Sequence, residues 1–117
     1  MPGEAIVLYG LKTCDTCRKA KRELEAAGNT VKFVDIREDA DLSAKLPIWL
    51  KAAPEKLVNK SSATWRALTN AEKAKAGTNG EKALLSKHPT LIKRPVIEHD
   101  GDVLVGWSKD VQAALLA

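Results

Sequence analysis

The sequence predicts an α/β fold in which a β-α-β unit, a helical insertion and a closing β-β-α unit share a four-stranded mixed sheet. Three observations carry this. A short β-branched run near the start leads directly into a helix-patterned segment and then a second β-branched run. The middle of the chain, from about 40 to 89, carries helix caps and no strand pattern. The end returns to two short strands around Asp100-Gly101, followed by one more helix.

Each element has its own signal. Ala5-Ile6-Val7-Leu8-Tyr9, closed by Gly10, is continuously apolar, as a strand buried on both faces must be. From Asp15 to Ala27 the apolar residues Cys17, Ala20, Leu24 and Ala27 fall on one narrow helix face, and Gly28-Asn29 ends it. Val31 to Ile36 is the second strand. A crossover of this length makes the first two strands parallel and the unit right-handed. Asp41 is placed to cap a helix carrying Leu42, Leu46, Ile48, Trp49 and Leu50, which Pro47 is expected to interrupt. Thr69-Asn70-Ala71-Glu72 and Thr78-Asn79-Gly80-Glu81 both match the capping box, and His88-Pro89 closes the block. Pro95–His99 and Asp102–Gly106 flank Asp100-Gly101, a strong hairpin pair. Ser108 then caps a last helix with Val111, Ala114 and Leu115 inward. This order is the thioredoxin arrangement with a helical insertion.

A chain of 117 residues reads as one domain over 1–117, long enough for a core without disulfides or a structural metal. With one Tyr, one Phe and three Trp, that core must be mainly aliphatic. The net charge is +4, and Arg18, Lys19, Lys21 and Arg22 concentrate positive charge in the first helix. Met1-Pro2-Gly3-Glu4 lacks the basic and apolar segments of a signal peptide, and no apolar run approaches a membrane span. A cytoplasmic protein is expected, with no membrane partner. In that compartment two close cysteines are redox-active or catalytic rather than structural.

Those cysteines lie in Cys14-Asp15-Thr16-Cys17. Cys14 falls between a buried strand and a helix start, where the first amides have no intrahelical partner and carry partial positive charge. A thiolate is stabilised there. Lys12 and Arg18 are placed to add to the effect, and Asp15 opposes it unless its side chain turns to solvent. Cys17, one turn on, is spaced to resolve a disulfide or sulfenic acid on Cys14. It also falls on the buried helix face, where cysteines are commonly inert; both readings stand. Zinc needs two further ligands, and only His88 and His99 are available, so redox chemistry fits the motif better.

Arg94-Pro95 is the second candidate. In a thioredoxin arrangement the strand after the crossover begins with a proline facing the cysteine. A cis bond there leaves backbone groups free to pair with an extended substrate. Arg94 brings a guanidinium toward Cys14, suited to an oxyanion or the carboxylate of a thiol cosubstrate such as glutathione.

Tyr9-Gly10-Leu11-Lys12-Thr13-Cys14-Asp15-Thr16-Cys17-Arg18-Lys19-Ala20 resembles the active-site stretch of the ArsC/Spx family. Leu91-Ile92-Lys93-Arg94-Pro95-Val96 resembles its second signature, Val105-Gly106-Trp107 also fits, and Ser61 to Leu68 is similar to the YffB-like, arsenate-reductase-related branch. The resemblance implies an ArsC-type thioredoxin-like domain acting as a glutathione-linked thiol reductase. Cys14 is then the nucleophile and Arg94 the anion binder, with Lys12, Thr13, Arg18 and Pro95 as substrate contacts. It implies glutathione as cosubstrate, glutaredoxin as a partner, no tightly bound cofactor or metal, and a monomer. In the family's arsenate reductases the cysteine attacks arsenate, glutathione joins the arsenic, and two further arginines hold the oxyanion. Here one position aligns near Asn59, with Lys60 adjacent, and the other at Trp107, where a neutral indole cannot replace a guanidinium. Arsenate itself is therefore a doubtful substrate. As the alternative, the CxxC spacing resembles the Spx regulators, which implies a redox switch that binds RNA polymerase.

Overall fold

A strand that is apolar at every position has no face to offer solvent, and β1 (Ile6–Gly10) accordingly lies inside the sheet. In this computed structural model residues 5–116 are described; Met1–Glu4, where the absence of a signal peptide was read, and Ala117 lie outside the described residues. β1 pairs in parallel with β2 (Val31–Asp35) and antiparallel with β3 (Val96–His99). β3 pairs antiparallel with β4 (Asp102–Val105), giving the order β2-β1-β3-β4. The chain divides into two compact units. One contains this sheet and its helices, from the segments ending at Ala40 and beginning at Arg94; the other is Asp41–Lys93.

In the sheet unit, α1 (Asp15–Ala26) buries Cys17, Ala20 and Leu24 against Ile6, Leu8 and Ile97. Ala27, expected on this face, is instead the exposed C-cap. The chain leaves the helix one residue early, through Gly28 at φ +94°. There the Gly28 N–H bonds to the Glu25 carbonyl and the Asn29 N–H to the Leu24 carbonyl, the paired bonds of a Schellman motif. The Asp100-Gly101 turn holds φ of +53° and +81°, as a two-residue hairpin turn of the right twist requires. α6 (Lys109–Leu116) starts at Ser108, whose Oγ accepts the Val111 N–H, and packs Val111, Leu115 and Leu116 on the core. Ala114, expected inward, is exposed.

The helical unit holds α2 (Leu42–Ala52), α3 (Ala63–Ala67), α4 (Asn70–Lys73), α5 (Glu81–Lys87) and a 3₁₀ turn, Pro89–Leu91. Pro47 does not interrupt α2 as the sequence suggested. An interior proline costs about 3 kcal/mol. Leu46 and Trp49 are fully buried from this helix, and two such side chains offset that by roughly 1.5–3 kcal/mol each, while the Pro47 ring faces solvent. The Thr69–Glu72 capping box forms as read. The second box does not: α5 begins at Glu81 itself, so Glu81 cannot reach back as a third-position residue. Its buried carboxylate instead accepts the Gly77 N–H, and Thr78 Oγ1 accepts the Gly80 N–H. The unit also runs past the expected end near 89. Val58 and Ile92 form a bridge, and the Leu57 carbonyl accepts the Lys93 N–H, so the chain stays tied to it through Lys93. His88, partly exposed at the end of α5, holds its Nε2 2.9 Å from the Glu72 carboxylate.

The basic character sits here too, not in α1. Residues 41–93 hold ten Lys and Arg against four Asp and Glu. In α1 the four basic residues face three acids, with Arg18 paired to Asp15 and Lys21 to Glu25.

One glycine is dictated by packing between β1 and α1. A Cβ on Gly10 would stand 2.4 Å from Cys17 Sγ and 3.0 Å from Cys17 Cβ, closer than atoms can approach. Gly10→Ala is therefore expected to destabilise the protein by about 1–3 kcal/mol, the usual cost of overpacking. Gly10→Ala/Cys17→Ala should recover part of that loss by removing the sulfur. Urea midpoints of the three proteins check this; equal loss in single and double variants contradicts it.

Candidate active site

The sheet register gathers the two sequence signatures at one end. Tyr9 lies opposite Val96, so the segment leaving β1 after Gly10 runs beside the segment entering β3 at Arg94-Pro95. The Arg94–Pro95 bond is cis. Val105 also pairs with Val96, which brings Gly106 and Trp107 to the same end.

Cys14 is the N-cap of α1, with extended backbone angles (φ −85°, ψ 116°). Its N–H bonds to the Leu11 carbonyl and its carbonyl accepts the Arg18 N–H, the first helical bond. The side chain is half-buried at the edge of the core. Burial pushes its pKa up. Against that act hydrogen bonds from the Cys17 backbone and from the Cys17 side chain, the charge of Arg94, and a bond from the Thr16 backbone. The net shift is downward from an ordinary thiol, so the helix end and its neighbours outweigh desolvation.

Cys17 has the opposite fate. It is fully buried with Ala20, Leu24 and Leu8, and burial pushes its thiol up to about 12. A backbone bond from Leu11 and the charge of Arg94 oppose this rise, and the Cys14 sulfur adds to it. Arg94 thus acts on both sulfurs, and its Nε is buried.

Arg18 does not turn to Cys14; its guanidinium pairs with Asp15, whose carboxylate stays exposed as expected. Lys12 is exposed in the β1–α1 turn, and its charge acts on Asp35. Asp35 is lowered first by the Glu38 N–H, with the Arg37 N–H and both cations contributing against slight desolvation. Thr13 is exposed in the same turn. Pro95 lies beside the site, and its carbonyl accepts the Gly106 N–H at 2.8 Å. Trp107, one of the two positions where the family's arsenate reductases carry an arginine, lies at this end. Its half-buried indole packs on the core and donates to the Glu23 carboxylate at 3.3 Å, which fixes the C-terminal side of this end. Asn59 builds a turn: its side-chain oxygen accepts the Ser61 N–H, and its backbone carbonyl accepts from Ser62 Oγ. Neighbouring Lys60 lies over the Trp65 ring.

With the cysteine, the cis-proline and its arginine at one sheet end, the sequence matches the ArsC family across residues 9–115. The chain belongs to the ArsC family. A solved structure described as the YFFB protein is 35% identical, superimposes with a TM-score of 0.84, and is matched over 96% of this chain and 99% of its own. An arsenate reductase (ArsC) related protein from Brucella melitensis is 31% identical with a TM-score of 0.75, covering 94% and 93%. An uncharacterized protein of Haemophilus influenzae is 39% identical over 93% of this chain and 97% of its own length. These likenesses support the YffB-like branch and the ArsC form of the thioredoxin-like fold. Among the described residues no helix is long and apolar enough to cross a membrane.

The two cysteines of this ArsC chain should differ sharply toward iodoacetamide. Native protein at neutral pH is expected to take one label, on Cys14, with a rate midpoint below that of a free cysteine; Arg94→Met should move the midpoint upward. Labelling Cys17 first, or a midpoint at the free value, contradicts this geometry.

Proposed function

We propose that this protein is an arsenate-reductase-like thiol oxidoreductase that uses Cys14 as nucleophile and glutathione as cosubstrate, acting in the cytoplasm on a disulfide-bonded substrate rather than on arsenate. The observation that carries the reading is the Cys14 sulfur, half-exposed at the start of α1, with helix amides and the Arg94 charge favouring its anion. The family membership and the arsenate-reductase-related description of the Brucella melitensis relative support the same class of chemistry.

The reaction is two exchanges. The Cys14 thiolate attacks the glutathionyl sulfur of a mixed disulfide R–S–S–G; the new Cys14–S–S–G bond forms as RS⁻ leaves and takes a proton from water. A second glutathione thiolate attacks the glutathionyl sulfur on Cys14, releasing oxidised glutathione and restoring the Cys14 thiolate. Arg94 pairs with a glutathione carboxylate and steadies the negative charge spread over three sulfurs at each exchange.

Arsenate is disfavoured by magnitude. Of the two positions where family arsenate reductases carry oxyanion-holding arginines, one falls near Asn59, bonded within its own turn and beside Lys60, and the other at Trp107, donating to Glu23. If each missing guanidinium removes about 2 kcal/mol, the barrier rises by roughly 4 kcal/mol, or about 10³-fold in rate. Disulfide exchange, which needs no oxyanion cage, is spared this penalty.

Glutathione-dependent turnover of hydroxyethyl disulfide and of arsenate tests the proposal. Disulfide turnover should exceed arsenate turnover by at least about 10²-fold. Cys14→Ser should abolish it, and Arg94→Met should raise the KM for glutathione several-fold. Activity retained in Cys14→Ser, or a preference for arsenate, overturns the reading.

A further inference from the structure

The helical unit carries ten basic residues against four acidic ones, and the four are not spread evenly. Asp41 caps α2, and Glu72 closes the Thr69 capping box and meets His88. The other two, Glu55 and Glu81, line one cavity of about 450 Å³ between the end of α2 and the loop that leads into α5. That volume lies in the range of small-molecule sites. Glu81 is only 7% exposed. Its Oε1 accepts the Gly77 N–H at 2.8 Å, while its Oε2 has no hydrogen-bond or ion-pair partner among the described residues. A buried carboxylate oxygen without a donor is unfavourable. The loop's own hydroxyl does not supply one: Thr78 Oγ1 donates to the Lys75 carbonyl and accepts the Gly80 N–H. Glu55 holds φ +67°, a left-handed conformation that Gly or Asn adopts more readily, so the turn does not explain a glutamate there. Leu50 and Pro54 give the cavity an apolar wall, and Lys82 adds a cation.

We propose that this cavity binds a small zwitterion of the α-amino-acid type, with its ammonium on Glu81 Oε2 beside Glu55, its aliphatic part on Leu50 and Pro54, and its carboxylate toward Lys82. Charge separates the ligand classes. An inorganic divalent cation takes six or more oxygen ligands, and the side chains here offer two carboxylates. A polyamine is repelled by the excess of basic residues in the unit. A simple anion meets Lys82 but also both glutamates. A zwitterion has no net charge to be repelled and sets each end against the opposite sign. Its ammonium gives the unpartnered oxygen a charge-assisted hydrogen bond, stronger than a neutral one. The bond from the Gly77 N–H to Oε1 stays in place, so the loop need not open to accept the ligand. The proposal does not depend on the thiol reaction.

The test titrates the full ¹⁵N-labelled chain with three probes that share one aliphatic body: L-leucine, 3-methylbutylamine, which lacks the carboxylate, and 4-methylpentanoate, which lacks the ammonium. L-leucine should give saturable amide shifts gathered at Leu50, Gly77, Thr78 and Glu81. The amine should bind at the same amides several-fold more weakly, and 4-methylpentanoate should give no saturable shift there. Glu81→Gln keeps an oxygen for the Gly77 N–H but loses the charge, and its affinity for L-leucine should fall by about tenfold or more. Lys82→Met should weaken L-leucine several-fold and leave the amine unchanged. No saturable shift with L-leucine overturns the proposal. So does 4-methylpentanoate binding as well as L-leucine, which would make Lys82 alone the site, and so does unchanged affinity in Glu81→Gln. If the Glu81→Gln spectrum shows unfolding, the three probes on wild type and on Lys82→Met decide: equal affinity for L-leucine in wild type and Lys82→Met, or an amine that binds more tightly than L-leucine, overturns the zwitterion.

Discussion

The site depends on one electrostatic balance, between the desolvation of a half-buried sulfur and the donors that the first turn of α1 aims at it. Burial alone would keep Cys14 protonated. The helix start supplies backbone donors at Thr16 and Cys17, the Cys17 side chain adds one more, and Arg94 supplies a full charge. Everything that fixes where α1 begins is therefore part of the site. Gly10 lets the helix approach the strand, the Leu11–Cys14 turn sets the N-cap, and Leu24 and Ala20 lock the helix onto Ile6 and Leu8.

Two identical side chains three positions apart are driven in opposite directions by their surroundings. Cys14 lies at the helix mouth, where amides and a cation reach it. Cys17 lies one turn in, where aliphatic packing dominates and the thiol is pushed up to about 12. The separation makes Cys14 the sulfur that ionises more readily of the two. The cis-proline signature completes the arrangement from the other side of β1, because the antiparallel Tyr9–Val96 register brings Arg94 to the end where Cys14 emerges.

Much of this was legible in the sequence because the relevant signals are local. The β-branched runs, the Asp-Gly turn and the Thr69–Glu72 box each carry their signal within a few residues and form as read. The misreadings arise where tertiary packing overrides a local rule. Pro47 stays inside α2 because Leu46 and Trp49 are buried from it. Thr78-Asn79-Gly80-Glu81 fails as a capping box because Glu81 is drawn into the interior toward the Gly77 amide. The short α3, capped by Ser62, has too few apolar repeats to announce itself. At the site, spacing singled out Cys14 and Arg94, whose segments the sheet register brings to one end. It could not decide Cys17, since helical periodicity gives a buried position but not what the sulfur touches. Nor could it foresee that Arg18 would turn to Asp15, an i,i+3 partner always within reach on a helix surface. The Gly10 signal was present in the sequence, but its reason lies in the close approach of Cys17.

The most direct test of the balance at α1 is a pH titration of the two cysteine Cβ resonances by ¹³C NMR on reduced, cysteine-labelled protein. One resonance, assigned to Cys14, should move with a midpoint below that of free cysteine, while the Cys17 resonance stays in its thiol position until strongly alkaline pH, near 12. A Cys14 midpoint at or above the free value, or both resonances moving together, would contradict the account.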